Sequence, residues 1–341
     1  MPGHAEKILI IGPGWVGDTM LMQPMLARLK QRYPDCSIDV FAPPWAATLL
    51  RAMPQVTEVI VNPFAHGALQ LVARFRLGRQ LRVAQYDQAI VLPNSLKSAL
   101  VPFFAGIPLR IGFVGELRYG LLNDARQLDK TALPLMVERF AQLAEPVGNH
   151  ISRPLPNPKL VVDDMQRNAA LHKLGLTLNN RIAVFCPGAE YGPAKRWPAR
   201  YFAELAQRLQ QQGYTVWIIG SGKDKIVADE IMRLAEGCQN LCGRTDLGDA
   251  IALLACAQLV VSNDSGLMHL AAALDRPMLA LFGSSSPQFT PPLSHHASVI
   301  KLDLECSPCF KRECPLGHFN CMMQLTPERV WQKIELINGV N

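Results

Sequence analysis

Asp18 follows Gly12-Pro13-Gly14-Trp15-Val16-Gly17 without a gap, so a carboxylate stands where a Gly-rich turn leaves one element and enters the next. Such a group has two uses. It can cap a helix expected to begin near Thr19. With glycines leaving room around it, it can also meet a substrate as a catalytic base. The same string is a literal G-x-G-x-x-G, which in a dinucleotide site cradles pyrophosphate on a helix N-terminus. That site also needs an acid at the end of the second strand to bind ribose. Here Asp39 lies mid-strand, and the strand ends in Ala42-Pro43-Pro44.

Further strings in the second half of the chain suit a ligand carrying phosphates. A strand at Arg181–Cys186 is expected to run into Pro187-Gly188-Ala189-Glu190-Tyr191-Gly192-Pro193-Ala194-Lys195-Arg196-Trp197-Pro198. A glycine-bearing loop after a strand exposes backbone N–H groups, and Lys195 and Arg196 add two cations; together they make a diphosphate clamp, or else a solvated cation pair. Ser221-Gly222-Lys223-Asp224 puts an acid just past a strand, where it can take ribose hydroxyls or cap the next helix. In Val260-Val261-Ser262-Asn263-Asp264-Ser265-Gly266-Leu267-Met268-His269, a buried strand ends in three capping residues and a glycine. The helix opening there offers free N–H groups and a dipole to an anion, with His269 about one turn in. Capping explains Asp264 or Ser265, but not the whole string. Finally, Cys306-x2-Cys309-x4-Cys314-x6-Cys321, with His318 inside it, has ligand types suited to zinc but not the spacing of a paired ribbon. A structural zinc, reduced thiols in a surface loop and a disulfide all remain open for it.

The elements that must position these residues follow a βα grammar, with short apolar runs alternating with helical patterns. Strands are expected at Lys7–Ile11, 38–42, 56–61, 88–92, Arg181–Cys186, 215–220, 258–262 and Met278–Phe282. Helices are expected at 19–32, 46–53, 68–83, 135–145, 199–212, 225–235, 248–255, 266–274 and 326–338, with Pro24 kinking or delaying the first. The fold class is therefore α/β, two Rossmann-like doubly wound domains facing a cleft. At 341 residues the chain has the length for two domains of about 150 residues each. Pro154, Pro156 and Pro158 mark a linker at 154–160 between domains at 1–153 and 161–341, the last helix being free to pack back on the first domain.

Hydrophobic residues at 49% and charged residues at 18% exclude a disordered or highly solvated chain. The net charge of +6 suits an acidic or phosphorylated partner and falls short of a nucleic-acid footprint. No apolar run reaches the roughly 18 residues of a bilayer span, and the apolar stretch at 8–11 is too short for a signal-peptide core. The nine cysteines are then expected mostly as reduced thiols in the cytosol.

Taken in order, Gly14-Trp15-Val16-Gly17-Asp18, Pro93-Asn94-Ser95-Leu96-Lys97-Ser98-Ala99, Arg118-Tyr119-Gly120-Leu121-Leu122-Asn123-Asp124, the 187–198 loop and 263–269 carry a resemblance over nearly the whole chain. The pattern resembles glycosyltransferase family 9, the lipopolysaccharide heptosyltransferases. The resemblance implies a GT-B fold, with the acceptor bound mainly by the first domain and the nucleotide sugar by the second. It implies inverting transfer of L-glycero-D-manno-heptose from ADP-heptose onto the first heptose of the lipid A-linked inner core. That reaction would run at the cytoplasmic face of the inner membrane, with peripheral membrane contact and no cofactor. The 93–99 and 118–124 strings favour this branch over the one that transfers heptose to Kdo.

Residue by residue, the family's catalytic Asp falls on Asp18, its phosphate-binding Lys on Lys195 and its ribose-contacting acid on Asp224. Its donor motif falls on Asp264, Ser265, Gly266 and His269. Gly188 and Arg196 join the diphosphate site, and Asn94, Ser95 and Lys97 are candidate acceptor contacts. The cysteine stretch lies outside that pattern. No D-x-D triplet occurs, so an Mg²⁺-bridged diphosphate is not indicated. The rival classes are an NAD-linked oxidoreductase built on the first glycines and a non-enzymatic nucleotide-binding module. The first would carry its ribose acid where this chain has Pro43-Pro44, and the second would have no use for a carboxylate at Asp18.

Overall fold

A computed structural model describes residues 6–338 except residue 66. It divides into two units, Met1–Pro156 and Asn157–Asn341, and the break falls within the 154–160 segment.

The first unit is built on a six-stranded sheet of β1 (Lys7–Ile11), β2 (Ser37–Ala42), β3 (Glu58–Val61), β4 (Gln88–Val91), β5 (Leu109–Phe113) and β6 (Asp124–Arg126). Its order is β3-β2-β1-β4-β5-β6, and every neighbouring pair is parallel. Central strands of such a sheet are covered on both faces, which is why β1 and β4 read as continuous apolar runs. Ile8, Leu9 and Ile10 have no exposed surface at all.

The second unit repeats the plan with β7 (Arg181–Cys186), β8 (Tyr214–Ile218), β9 (Gln239–Asn240), β10 (Leu259–Asn263), β11 (Met278–Phe282) and β12 (Ala297–Lys301). Its order is β12-β11-β10-β7-β8-β9, again all parallel. Counted from its own first strand, each sheet has the order 3-2-1-4-5-6 of a dinucleotide-binding fold. The direction in which successive strands are added to the sheet reverses between β1 and β4 in one unit and between β7 and β10 in the other. Loops leaving the carboxyl ends of those strands splay apart and leave a crevice.

Several expectations change. The helix read as 19–32 is two helices, Val16–Leu21 and Gln23–Arg32, because Pro24 takes an opening position in the second. The helix Asp164–Leu174 escaped notice, although Asp163 and Gln166 form a capping box that marks its start. The last helix, Pro327–Asn338, buries Val330 and Ile334 in the second unit's own core. Among the described residues, no helix is long and apolar enough to cross a membrane.

Candidate functional site

In the second unit, three loops leave the carboxyl ends of adjacent strands β7, β10 and β11. Asn263, fully buried at the end of β10, fixes the loop that leaves β7. Its amide donates to Pro187 O at 2.7 Å, and its Oδ1 accepts the Trp197 N–H at 3.1 Å. Trp197 is anchored further by an indole N–H donated to Leu325 O at 2.6 Å and by edge packing on Phe202. The 187–198 loop is thus held at both ends.

That support aims Lys195. Its ammonium pairs with Asp264 Oδ2 at 2.5 Å, and the Ser285 hydroxyl donates to the same oxygen at 2.5 Å. Asp264 is 5% exposed, so this carboxylate is an ion-pair partner held out of water and not the helix cap that its position suggested. Lys195 also lies 5.1 Å from the centre of the Tyr191 ring, whose other cationic neighbour is Arg312 at 5.2 Å. Among the described residues, Arg196 reaches Ala189 O at 3.5 Å and its buried Nε has no hydrogen-bond partner. Beside the ion pair, the helix Gly266–Ala273 starts from Ser265 without a side-chain cap bond, so its opening N–H groups lack that partner. His269, buried one turn in, has its pKa pushed down to about 4. Burial is the main cause, partly opposed by Asp264 and reinforced by Lys195. At neutral pH it is an uncharged imidazole.

Asp224 lies in a short 3-10 turn, Gly222–Asp224, that opens the helix Lys225–Leu234. Its carboxylate turns back to accept the Ser221 N–H at 2.9 Å and hydroxyl at 2.8 Å, so it closes its own turn and does not cap the helix. Gly188 and Gly220 lie directly against it. A Cβ at Gly188 would fall 2.4 Å from the Asp224 carboxyl carbon, which requires glycine there on packing grounds alone.

In the first unit, Asp18 is the third residue of the helix Val16–Leu21, whose N-cap is Trp15. The capping reading of Asp18 therefore fails. The Trp15 carbonyl takes both the N–H and the hydroxyl of Thr19, each at 2.9 Å, which starts the helix earlier than the sequence suggested. Asp18 is half-buried in the opening turn, where the helix dipole favours the ionised carboxylate. Gly12 serves packing. Its N–H bonds Phe41 O at 2.9 Å, and a Cβ would press 3.3 Å from Ala42. Asp39, mid-strand in β2 and so away from the strand end where a dinucleotide site needs its acid, accepts the Tyr86 hydroxyl at 2.6 Å.

The 93–99 segment is organised by Arg118, which is 1% exposed. Its guanidinium donates to Phe113 O at 2.6 Å, Asn94 Oδ1 at 3.2 Å and Ser98 Oγ at 3.1 Å, and to the carbonyls of Pro93 and Ser95. Burial lowers its pKa to about 10, so it stays charged at neutral pH. Of the acceptor candidates, Asn94 and Ser95 are therefore partly committed to Arg118, while Lys97 gives its carbonyl to Arg74 at 3.3 Å. Sequence reasoning gave Arg118, Ser285, Tyr191 and Arg312 no role. Arg118 and Tyr191 stood inside strings already singled out, and Ser285 left a signal as part of Gly283-Ser284-Ser285-Ser286 at a strand's carboxyl end.

Cys306, Cys309, Cys314 and Cys321 are free thiols that line one small cavity of about 20 Å³ together with His318. Among the described residues, no group of three or more His, Cys, Asp or Glu side chains is arranged to hold a metal ion, so the zinc reading finds no support in the geometry. The segment braces the Lys195 loop instead. Arg312 O accepts the Ala194 N–H at 3.0 Å, Phe310 O accepts the Tyr191 hydroxyl at 2.8 Å, and a Cβ at Gly192 would lie 2.4 Å from Arg312 O.

A family model described as glycosyltransferase family 9 (heptosyltransferase) matches residues 74–320. The chain is 49% identical over 338 residues to lipopolysaccharide heptosyltransferase 2 of Salmonella typhimurium, with 96% of this chain and 97% of that protein covered. It is 47% identical over 341 residues to lipooligosaccharide heptosyltransferase 2 of Haemophilus influenzae, with 96% and 98% covered. Among solved structures, ADP-heptose LPS heptosyltransferase II of E. coli matches with a TM-score of 0.88 at 46% identity, covering 97% of this chain and 98% of that one.

Proposed function

The chain belongs to glycosyltransferase family 9, and from that membership we propose that it moves L-glycero-D-manno-heptose from ADP-heptose onto the first heptose of the lipopolysaccharide inner core. It is a glycosyltransferase of GT-B fold acting in inner-core biosynthesis. The observation that carries the finer reading is the Lys195–Asp264–Ser285 cluster beside the open N-terminus of Gly266–Ala273. A cation, a set of N–H donors and a neutral imidazole at one place suit the diphosphate of a nucleotide sugar.

In this reading the second unit binds ADP-heptose. Lys195, Arg196 and the N–H groups of Gly188, Ser265 and Gly266 hold the diphosphate, and His269 and Asp224 contact the nucleotide. The first unit binds the lipid A-linked acceptor, with Asn94, Ser95 and Lys97 among its contacts. Asp18 accepts the proton of the acceptor hydroxyl as that oxygen forms its bond to the anomeric carbon. The bond from that carbon to the β-phosphate oxygen breaks, and its electron pair leaves on ADP. One displacement inverts the anomeric configuration. The charge gathering on ADP is met by Lys195, Arg196 and the backbone donors, without a cofactor. Reaction takes place at the cytoplasmic face of the inner membrane, with the enzyme in peripheral contact.

The test is turnover of ADP-heptose with two acceptors, one already carrying a single heptose and one ending in Kdo. Release of ADP with the gain of one heptose on the first acceptor alone supports the assignment. Transfer to the Kdo acceptor instead would move the chain to the other branch, and binding of NAD in place of ADP would overturn the reading.

A further inference from the structure

The helix Leu71–Leu81 packs on the helix Leu100–Phe104 through Gly78, where a Cβ would lie 2.5 Å from Phe104. The flank beside that contact carries Val72, Phe75, Arg76 and Arg79, spaced as one helical face, and all four are exposed. Val72 is 62% exposed and Phe75 47%, values that would each cost hydrophobic free energy on a face meant only for water. The apolar surface continues sideways. Phe75 meets Phe104 edge-on at 5.2 Å, Phe104 meets Phe103 at 5.6 Å, and Arg110 lies 5.5 Å from the centre of the Phe103 ring. Val83, just beyond the helix, is 88% exposed.

The charge is one-sided. Between Glu58 and Glu116 the sequence has Arg74, Arg76, Arg79, Arg82, Lys97 and Arg110 against the single acid Asp87. Asp87 is itself engaged, accepting the backbone N–H of Lys7 at 2.7 Å. Among the described residues, Arg76 and Arg79 have no ion-pair partner. Exposed Val and Phe interleaved with arginines and free of carboxylates is the composition of a helix that lies in a membrane interface. Its apolar groups enter the acyl boundary while its guanidinium groups meet anionic headgroups.

The patch is also tied to the acceptor segment. Arg74, on the buried side of the same helix, donates to Leu69 O at 2.6 Å, Ala68 O at 3.2 Å and Lys97 O at 3.3 Å. The helix that carries the patch is therefore hydrogen-bonded to the 93–99 segment.

We propose that the outward face of Leu71–Leu81, extended by Phe103 and Val83, docks on an anionic lipid bilayer and presents the 93–99 segment to a lipid-anchored acceptor. The first half names the face that makes the peripheral membrane contact proposed above, and the second half rests on the acceptor proposed there.

The test is flotation of the full chain with vesicles of phosphatidylcholine alone and of phosphatidylcholine with about 30% phosphatidylglycerol, without any sugar substrate. The wild-type chain should bind the mixed vesicles, and salt should release it. Arg76→Gln with Arg79→Gln should weaken binding roughly 30-fold, about fivefold for each cation removed near the surface. Val72→Ser with Val83→Ser should leave a weak, fully salt-sensitive attachment. Both pairs are solvent-exposed, and their melting temperatures should match the wild type. Each variant should keep wild-type turnover on a deacylated, water-soluble acceptor while losing it on the acceptor embedded in vesicles. Equal binding to neutral and anionic vesicles, or unchanged binding by both variants, would overturn the proposal. So would a dimer in sedimentation that Val72→Ser dissociates, because the face would then belong to a second copy of the chain. Failure of heptose transfer with vesicle binding intact would strike the proposed function alone.

Discussion

Replacing Lys195 by alanine removes the cation nearest the proposed diphosphate and leaves Asp264 behind. Loss of one partner from a desolvated charge pair costs about 2–5 kcal/mol in binding. The structure places this case in the upper part of that range. Lys195 Nζ lies 2.5 Å from Asp264 Oδ2, so a phosphate oxygen hydrogen-bonded to the same ammonium at about 2.8 Å would sit roughly 5 Å from the carboxylate. With the ammonium gone, two like charges at about 5 Å repel by about 3 kcal/mol at an effective dielectric constant near 20. The Lys195 side chain is 17% exposed, and water entering its place trims that to roughly 1–2 kcal/mol.

The consequence is a non-additive pair. Lys195→Ala should weaken ADP binding by about 4 kcal/mol, near a thousandfold. Lys195→Ala with Asp264→Asn should recover about 5- to 30-fold of that, because Asn has no charge to repel the phosphate yet still accepts from Ser285. Calorimetric titration of the wild type, both single variants and the double variant with ADP closes the cycle, and melting curves confirm that each is folded. A double variant that binds ADP no more tightly than Lys195→Ala would refute the argument, since Asp264 would then not be felt at the phosphate site.

Asp18→Asn should lower single-turnover transfer by roughly 10²–10⁴-fold while leaving ADP affinity unchanged, and near-normal transfer would remove Asp18 from the mechanism. Because Asp18 lies in a first helical turn and is no cap, the change should cost at most about 1 kcal/mol in urea unfolding. His269 resists protonation in the folded state down to about pH 4, whereas the unfolded chain takes up that proton near pH 6.5. Its contribution to stability is therefore constant above pH 6.5 and is lost as pH falls toward 4, by at most about 3 kcal/mol. Subtracting the stability–pH curve of His269→Gln from that of the wild type should show this slope, and a flat difference would refute it. Arg118→Met should cost about 3–5 kcal/mol, because it strands the carbonyls of Pro93 and Phe113 without their donor, and a loss under about 1 kcal/mol in urea unfolding would show that water replaces the guanidinium.

Much of the fold is legible in local pattern. β1, β7 and β11 hold apolar runs ended by glycine or proline, the helices after β7 and β8 show one apolar face over two or more turns, and the helix after β10 is apolar nearly all round. The elements that stayed hidden carry little such signal. β9 has two residues, β12 is an edge strand of half-buried residues, and β5 holds Arg110 and Gly112 inside five positions. The two sheets were inferable as a class, but their strand order was not, because order depends on which buried faces meet.

The candidate site divides in the same way. Asp18, Lys195, Asp224 and the Asp264-to-His269 string stand in contiguous motifs at strand ends, where turn chemistry is local and can be read from residue type and spacing. What those groups do to one another is a matter of strand order. Placing β10 between β7 and β11 brings Asp264 within hydrogen-bonding distance of Lys195, 69 residues earlier, and Ser285, 21 residues later. It also lets Asn263 hold both ends of the 187–198 loop at once. Arg118 shows the limit most plainly. By residue type it is a surface cation, yet it is buried because five carbonyl and side-chain oxygens, brought together by the ends of β4 and β5, take its donors in place of water. Sequence by itself determined which residues could do chemistry and the two units that carry them. Tertiary structure alone decided which charges are paired and which are buried, since both depend on neighbours that the chain supplies from far away.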